Sequence, residues 1–404
     1  MAEHNASSAA PKAPEDIVIV GATRTPQGRM LGSLASKSAV DLGAATIKAS
    51  LEQAGIAADS VDYVLMGQVV QAGAGQNPAK QSAVAAGLPM QVPAMTVNKV
   101  CLSGLDAVIS AARMIKTGDA TVVVAGGQES MSNAPHLAAG VRAGKSYGSL
   151  ALQDSLERDG LSDAVHGTAM GLETDEGNED RGITREEQDE VAARSHQLAE
   201  KATEEGIFDD EIVPIEVKGR KETVTVTKDE GIRPGTTAEG LAKLRPAFRK
   251  DGTITAASAS QISDGAASVV LTTRAYAENN GLEVLATLSA HGQTAGPDTK
   301  LHSQPSQAMS AALEKAGGVV DDLDFLEINE AFASVAIQSL RDLNYPLEKT
   351  NIHGGGISLG HPIGCSGARL VVHAAHELKR RGEGHAGVSL CGGGGQGDAL
   401  LLWR

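Results

Sequence analysis

Cys101-Leu-Ser-Gly-Leu-Asp-Ala-Val-Ile-Ser-Ala-Ala-Arg-Met-Ile-Lys116, with Thr121-Val-Val-Val-Ala-Gly-Gly127 a few residues on, is the stretch that decides the fold. It reads as a turn opening a helix from about Leu102 to Lys116, then a strand over Thr121 to Ala125 that ends in Gly126-Gly127. Near the C-terminus, Cys365-Ser-Gly367 opens a second helix that leads to the strand Val388 to Leu390 and to Gly392-Gly393. The spacing is 22 residues from Gly104 to Gly126 and 25 from Gly367 to Gly392. The preceding strands match as well: Val61-Asp62 leads into Tyr63 to Met66, and Leu323-Asp324 into Phe325 to Ile328. An internal duplication accounts for both sets. Two such halves packed together bring corresponding strand ends and helix N-termini to one cleft.

Working outward, short apolar runs alternate with helical ones. Ile17 to Val20 reads as a strand, Ala39 to Ala54 as a helix stopped by Gly55, Pro78 to Ala86 as a helix and Ala94 to Val97 as a strand. This rhythm predicts an α/β layered sheet. From Ser130 to about Lys250 the chain turns rich in Gly, Asp, Glu and Lys, with one clear helix over Arg185 to Glu205 and a hairpin over Val213 to Thr227. Thr184 and Glu187 supply that helix with a capping box. The segment reads as a long insertion over the sheet, the kind of place where ligand loops are built. The α/β rhythm resumes at Ser268 to Thr272, and Leu400 to Arg404 reads as the end of a buried strand.

Composition narrows the function. The chain has 404 residues, 47 glycines, and only 4 Phe, 4 Tyr and 1 Trp, so its core is packed from small aliphatic side chains. A formal net charge of −15 and so few aromatics argue against nucleic-acid binding, though not against a small anion on a local basic patch. Cys101, Cys365 and Cys391 are too few and too widely spaced for a disulfide framework or a metal site. Free thiols fit a reducing cytoplasm. Met1 to Asp16 reads as a disordered lead-in without targeting character, and no run approaches a membrane span.

Four segments carry chemistry. Cys101, at a strand-to-helix turn, feels a helix N-terminus that favours thiolate, as in a nucleophile elbow; a buried packing cysteine is the alternative. Asn329-Glu330 follows the strand Phe325 to Ile328, where an open α/β sheet binds ligands, although Asn329 could equally cap a helix. His361 lies among five glycines of Gly354-Gly-Gly-Ile-Ser-Leu-Gly-His-Pro-Ile-Gly364, suited to pairing with a thiol. Cys391-Gly-Gly-Gly-Gly-Gln-Gly397 lacks the Lys-Ser/Thr of a P-loop and suits proton transfer and an oxyanion hole instead.

With Arg24-Thr25-Pro26, Gly126-Gly-Gln-Glu-Ser-Met-Ser132, Asn329-Glu-Ala-Phe332 and Gly360-His-Pro362, these motifs resemble the thiolase family from Ile17 to the C-terminus. The resemblance implies a five-layer αβαβα fold of duplicated βαβαβαββ halves. A lead-in (1–15) would precede an N-terminal half (16–131 and 263–282), a loop domain (132–262) for CoA binding and tetramerisation, and a C-terminal half (283–404). It implies acyl transfer to Cys101 with His361 as base, then α-proton removal by Cys391 and Claisen condensation. One oxyanion hole would use His361 Nε2 and a water held by Asn329, the other the N–H groups of Cys101 and Gly393. CoA contacts carried over by the resemblance are Arg233, Ser260, Phe248, Met170 and Phe332.

The family also implies a homotetramer with contacts around Asn133 to Leu150, no metal, and no cofactor beyond coenzyme A as substrate and product. The favoured activity is acetyl-CoA C-acetyltransferase, acting on acetyl-CoA and acetoacetyl-CoA. The rivals are a 3-ketoacyl-CoA thiolase of fatty-acid oxidation and a catalytically silent acyl-CoA-binding relative. A decarboxylating ketoacyl synthase would lack the second cysteine. The chain departs from the family pattern at Ala169, at Ser258 to Gln261, at Ile352-His353 and at Cys365, the last read as structural.

Overall fold

The duplication shows in the strand register of the computed structural model, which describes residues 12–219 and 221–404. Nine strands, β1 (Ile17–Arg24), β2 (Tyr63–Gly67), β3 (Ala94–Val97), β4 (Val123–Ser130), β5 (Ser263–Thr273), β6 (Ala286–Ala295), β7 (Phe325–Ile328), β8 (His385–Gly392) and β9 (Gln396–Trp403), join in the order β7-β8-β9-β6-β1-β5-β4-β2-β3. A short strand, Gly28–Arg29, pairs with β5. Read outward from the β1–β6 junction, each side repeats one pattern. Two antiparallel pairings (β1–β5–β4 and β6–β9–β8) are followed by a parallel one (β4–β2 and β8–β7). The parallel bridge between Leu326 and Thr350 stands where β3 stands in the first half. Both β1 and β6 carry a bulge, between Ile19 and Gly21 and between Leu288 and His291. At the junction Val18 pairs with Thr287, its own counterpart in the repeat, so the pseudo-twofold axis passes there.

The register also corrects one reading. Tyr63 pairs with Val123 and Phe325 with Ala386, which makes Ser389-Leu390, not Gly392-Gly393, the counterpart of Gly126-Gly127. β4 does not stop at its double glycine but runs on to Ser130. Those glycines serve close packing: a Cβ on Gly126 would lie 2.1 Å from the Ala267 carbonyl oxygen, and one on Gly127 2.0 Å from that of Gly364.

The two inner helices, Ser103–Thr117 and Ser366–Arg381, meet at their N-termini through a reciprocal contact. A Cβ on Gly104 would stand 2.9 Å from the Ala368 nitrogen, and one on Gly367 2.5 Å from the Leu105 nitrogen. These helices lie in an apolar layer between the half-sheets, built from Ile19, Leu65, Leu105, Ile109 and Val269 of one half and Phe325, Leu370, Val388 and Leu402 of the other. A second layer (Val18, Ile47, Leu51, Met66, Val124) is covered by the helix Ala39–Ala54, and a third (Met309, Leu313, Leu326, Leu401) by Gln304–Ala316. The result is the expected five layers. Each fully buried Leu or Ile contributes roughly 1.5–3 kcal/mol.

Between β4 and β5 lie the helices Met170–Asp180 and Arg185–Glu204 and two small ribbons, His136–Leu137 with Gln153–Asp154 and Ile215–Lys218 with Thr223–Val226. The Thr184–Glu187 capping box is formed. Of the expected lead-in, residues 1–11 lie outside the described residues; the Pro14 carbonyl accepts a hydrogen bond from the Ala275 N–H.

Candidate active site

Cys101 sits on a strained turn between β3 and the first inner helix. Val100 has φ +53°, a left-handed conformation unfavourable for a β-branched residue. Three hydrogen bonds hold it there. The Lys99 N–H donates to Ser103 Oγ (2.8 Å), Ser103 Oγ donates to the Val100 carbonyl (2.6 Å), and the Val100 N–H donates to Asn98 Oδ1 (3.1 Å). The backbone N–H groups of Gly393, in the other half of the molecule, and of Cys101 itself favour the thiolate of the half-buried Cys101 sulfur. Burial nonetheless pushes its pKa up to about 12, with the Glu129 charge adding to the rise. The thiolate expected from the helix terminus is therefore not the resting state: loss of solvation outweighs the two N–H groups.

Cys391, near the end of β8, is fully buried, and burial followed by the neighbouring Cys101 raises its pKa. It packs with Ile254, Leu301, Ala331, Phe332 and Val335, and Met170 and Ala259 lie against this cluster. The chain then turns through Gly394 and Gly395, both at positive φ. A Cβ on Gly395 would lie 1.9 Å from the Asp298 carbonyl oxygen, so only glycine fits there.

His361 is buried, with Nδ1 2.6 Å from Ser366 Oγ. Because the Ser366 hydroxyl donates to the Pro362 carbonyl (3.0 Å), Nδ1 carries the proton and Nε2 keeps its lone pair. Burial, and then the Arg369 charge, lower the His361 pKa to about 3, so the ring is neutral. Asn329 Nδ2 lies 3.4 Å from both ring nitrogens, and its buried Oδ1 has no protein partner. Asn329 caps no helix, since the next one begins at Ala333 after Phe332.

The acidic neighbours of these residues are anchors. Glu330 accepts from Ser195 Oγ, Asn351 Nδ2 and the Ile357 N–H, fixing the glycine loop ahead of His361. Glu129 accepts the N–H groups of Val69, Val70 and Gly364, and burial raises its pKa to about 7.

The residues expected to contact CoA divide in two. Phe332 and Phe248 make an edge-to-face pair with centroids 6.1 Å apart. Phe248 is 37% exposed and covers Gly171, next to Met170; Ala259 bridges to Phe332, and the Ser260 N–H donates to the Ala331 carbonyl. These four therefore line one wall beside Cys391. Arg233 is exposed, its N–H held by His196 Nδ1 (3.2 Å). Its loop is tied to the site by Gln261, whose Nε2 donates to the carbonyls of Gly231 and Ile357. The departure at Gln261 thus has a structural role.

Three other sequence departures also find places. His353 pairs with His373 (3.1 Å), Ala169 precedes the Met170–Asp180 helix without a side-chain cap, and Cys365 is buried in the central layer. Sequence reasoning missed Ser366, although it lies inside the quoted Cys365-Ser-Gly repeat five residues after His361. It also missed the anchoring role of Glu129. Among the described residues, one trio of metal-type donors occurs, Asp163, His166 and Glu173, and it includes none of the four polar catalytic candidates.

Comparison with known proteins matches nearly the whole chain to thiolases. The family model described as thiolase, N-terminal domain, matches residues 17–275, and that for thiolase, C-terminal domain, matches residues 282–404. A probable acetyl-CoA acetyltransferase of Mycolicibacterium smegmatis is 54% identical, covering 96% of this chain and 100% of the relative. An acetyl-CoA acetyltransferase of Pseudomonas aeruginosa is 49% identical, covering 96% of this chain and 100% of the relative. The crystal structure of the Bacillus anthracis acetyl-CoA acetyltransferase superposes with a TM-score of 0.94 at 41% identity, covering 97% of this chain and 99% of that one.

Proposed function

Since the chain belongs to the thiolase family, we propose that it is an acetyl-CoA C-acetyltransferase, reversibly condensing two acetyl-CoA into acetoacetyl-CoA and CoA. The observation that carries this is the meeting of the Cys101 turn with the Gly393 backbone of the other half, whose N–H favours the Cys101 thiolate, with Cys391 alongside. The Cys101 proton passes to His361 Nε2 as the sulfur attacks the acetyl carbonyl. The departing CoA sulfur takes its proton from Cys391. The Cys391 thiolate then removes an α-proton from the second acetyl-CoA, and the carbanion attacks acetyl-Cys101. As the C–C bond forms, the Cys101–acyl bond breaks, and the sulfur recovers its proton from His361. Every group returns to its starting state, and thiolysis is the same path reversed.

The N–H groups of Cys101 and Gly393 stabilise the acyl-cysteine oxyanion. His361 Nε2 and a water on the free Asn329 Oδ1 serve the enolate oxygen. Each such donor contributes roughly 3–4 kcal/mol to the barrier reduction. Phe332, Phe248, Met170 and Ser260 flank pantetheine, and Arg233 meets the nucleotide phosphates. A homotetramer is supported by the arm around Asn133 to Leu150, where Tyr147 is 94% exposed. No helix among the described residues is long and apolar enough to cross a membrane. The free thiols support a cytoplasmic setting.

Steady-state thiolysis of acetoacetyl-CoA against 3-ketohexadecanoyl-CoA tests the reading. The short substrate is expected to win on kcat/KM; strong preference for the long one would make this a broad-chain 3-ketoacyl-CoA thiolase.

A further inference from the structure

We propose that Lys99 and Asp398 form a positioning clamp that sets the Cys101 loop of one half against the Cys391–Gly393 segment of the other. The inference rests on the functional reading above. Lys99 lies two residues before Cys101, and its Nζ is 2.8 and 2.9 Å from the two oxygens of Asp398. Asp398 lies on β9, paired in the ladder with Leu390, the residue before Cys391. Its side chain is fully buried, while that of Lys99 is 23% exposed. Asp106 Oδ1 is 3.3 Å from the same Nζ, and Gln293 Nε2 donates to both acids, at 2.9 Å to Asp106 and 3.1 Å to Asp398. The charged pair is thus a built, hydrogen-bonded junction between the halves.

What it holds is demanding. The Gly393 backbone N–H, which favours the Cys101 thiolate, comes from the opposite half. The strained Val100 is packed on that glycine, where a Cβ would come within 3.2 Å of Val100 Cγ1. The bonds that hold Val100 internally, through Asn98 and Ser103, fix the shape of the loop but not its distance from Gly393. Lys99–Asp398 spans that gap. A displacement of about 1 Å at a reacting group can cost on the order of 100-fold in rate, so a clamp of this kind acts on kcat.

The test uses the full-length enzyme with Lys99→Met, Lys99→Arg, Asp398→Asn and the Lys99→Met/Asp398→Asn double variant. Lys99→Met and Asp398→Asn are each expected to lower kcat for acetoacetyl-CoA thiolysis by roughly 10- to 100-fold, with KM within about twofold. Lys99→Arg restores most of the rate, and the double variant is no worse than the poorer single one. Site-resolved alkylation of Cys101 by iodoacetamide at pH 8 gives a readout independent of turnover. It should slow about tenfold in Lys99→Met, because the Cys101 loop shifts relative to the Gly393 N–H that favours its thiolate. A folded Lys99→Met enzyme with wild-type kcat and alkylation rate overturns the clamp, as do losses that simply multiply in the double variant. A wild type without thiolysis overturns the functional reading instead, and the alkylation comparison then judges the clamp by itself.

Discussion

The two inner-helix entrances, Cys101-Leu-Ser-Gly104 and Gly364-Cys-Ser-Gly367, share one scaffold and divide the chemistry between them. With the helix starts at Ser103 and Ser366 superposed, Gly364 stands where Cys101 stands, and Cys365 stands where the buried Leu102 does. Ser103 braces the strained turn before Cys101, whereas Ser366 Oγ lies against Nδ1 of His361. Cys365, placed one residue later than Cys101 in this register, lies in the core, and burial pushes it up to about 12. In the proposed mechanism, the nucleophile Cys101 thus opens one entrance, and the base His361 lies just ahead of the other.

The largest effect that could break this contrast comes from the cysteines. Cys101→Ala and Cys391→Ala are each expected to lower thiolysis by roughly 10⁴-fold or more. Cys365→Ala should leave kcat within about twofold and cost about 1 kcal/mol of stability. Steady-state rates and urea unfolding of the three variants check this, and comparable losses of rate in all three would erase the distinction. Ser366→Ala sharpens the contrast next: freeing Nδ1 should lower kcat by about 10- to 100-fold with little change in KM. Unchanged kcat would mean that the His361 tautomer is set elsewhere.

Smaller effects are expected at the shared glycines. Gly104→Ala and Gly367→Ala both press a methyl onto the backbone of the opposite helix. Each should destabilise by about 1–3 kcal/mol in denaturant titration, and a large difference between them would argue against the pseudo-symmetry. The smallest effect concerns pH. His361 titrates freely near 6.5 in the unfolded chain but at about 3 when folded. Its burial costs nothing extra above pH 6.5 and costs stability progressively as pH falls toward 3. The wild type should therefore lose about 2 kcal/mol relative to His361→Gln between pH 7 and 5; a constant gap between the two would show that His361 titrates normally.

The four candidate positions stood out in the sequence because each lies where sequence patterns are strong. Cys101 precedes a helix, Asn329 follows a strand, and His361 and Cys391 lie in glycine-rich loops. The apolar rhythm gave a layered α/β sheet, and the five layers came only with the resemblance to the thiolase family. The register of the repeat was not legible from Gly126-Gly127, because glycines that admit a neighbouring backbone inside a strand look like glycines that end one. The upward shift at Cys101 was also hidden: a helix N-terminus is local and visible, whereas burial and the Glu129 charge arrive through the tertiary fold. For the same reason Lys99 and Asp398, far apart in the chain, gave no sign of their contact.

The central claim is that Cys101 carries the acyl group. Brief incubation with acetyl-CoA, acid quenching and mass spectrometry of the peptides should find one acetyl group on Cys101 and none on Cys391 or Cys365. Adding CoA before the quench should remove it. Acetyl on another residue, or undiminished labelling of the Cys101→Ala protein, would contradict the account.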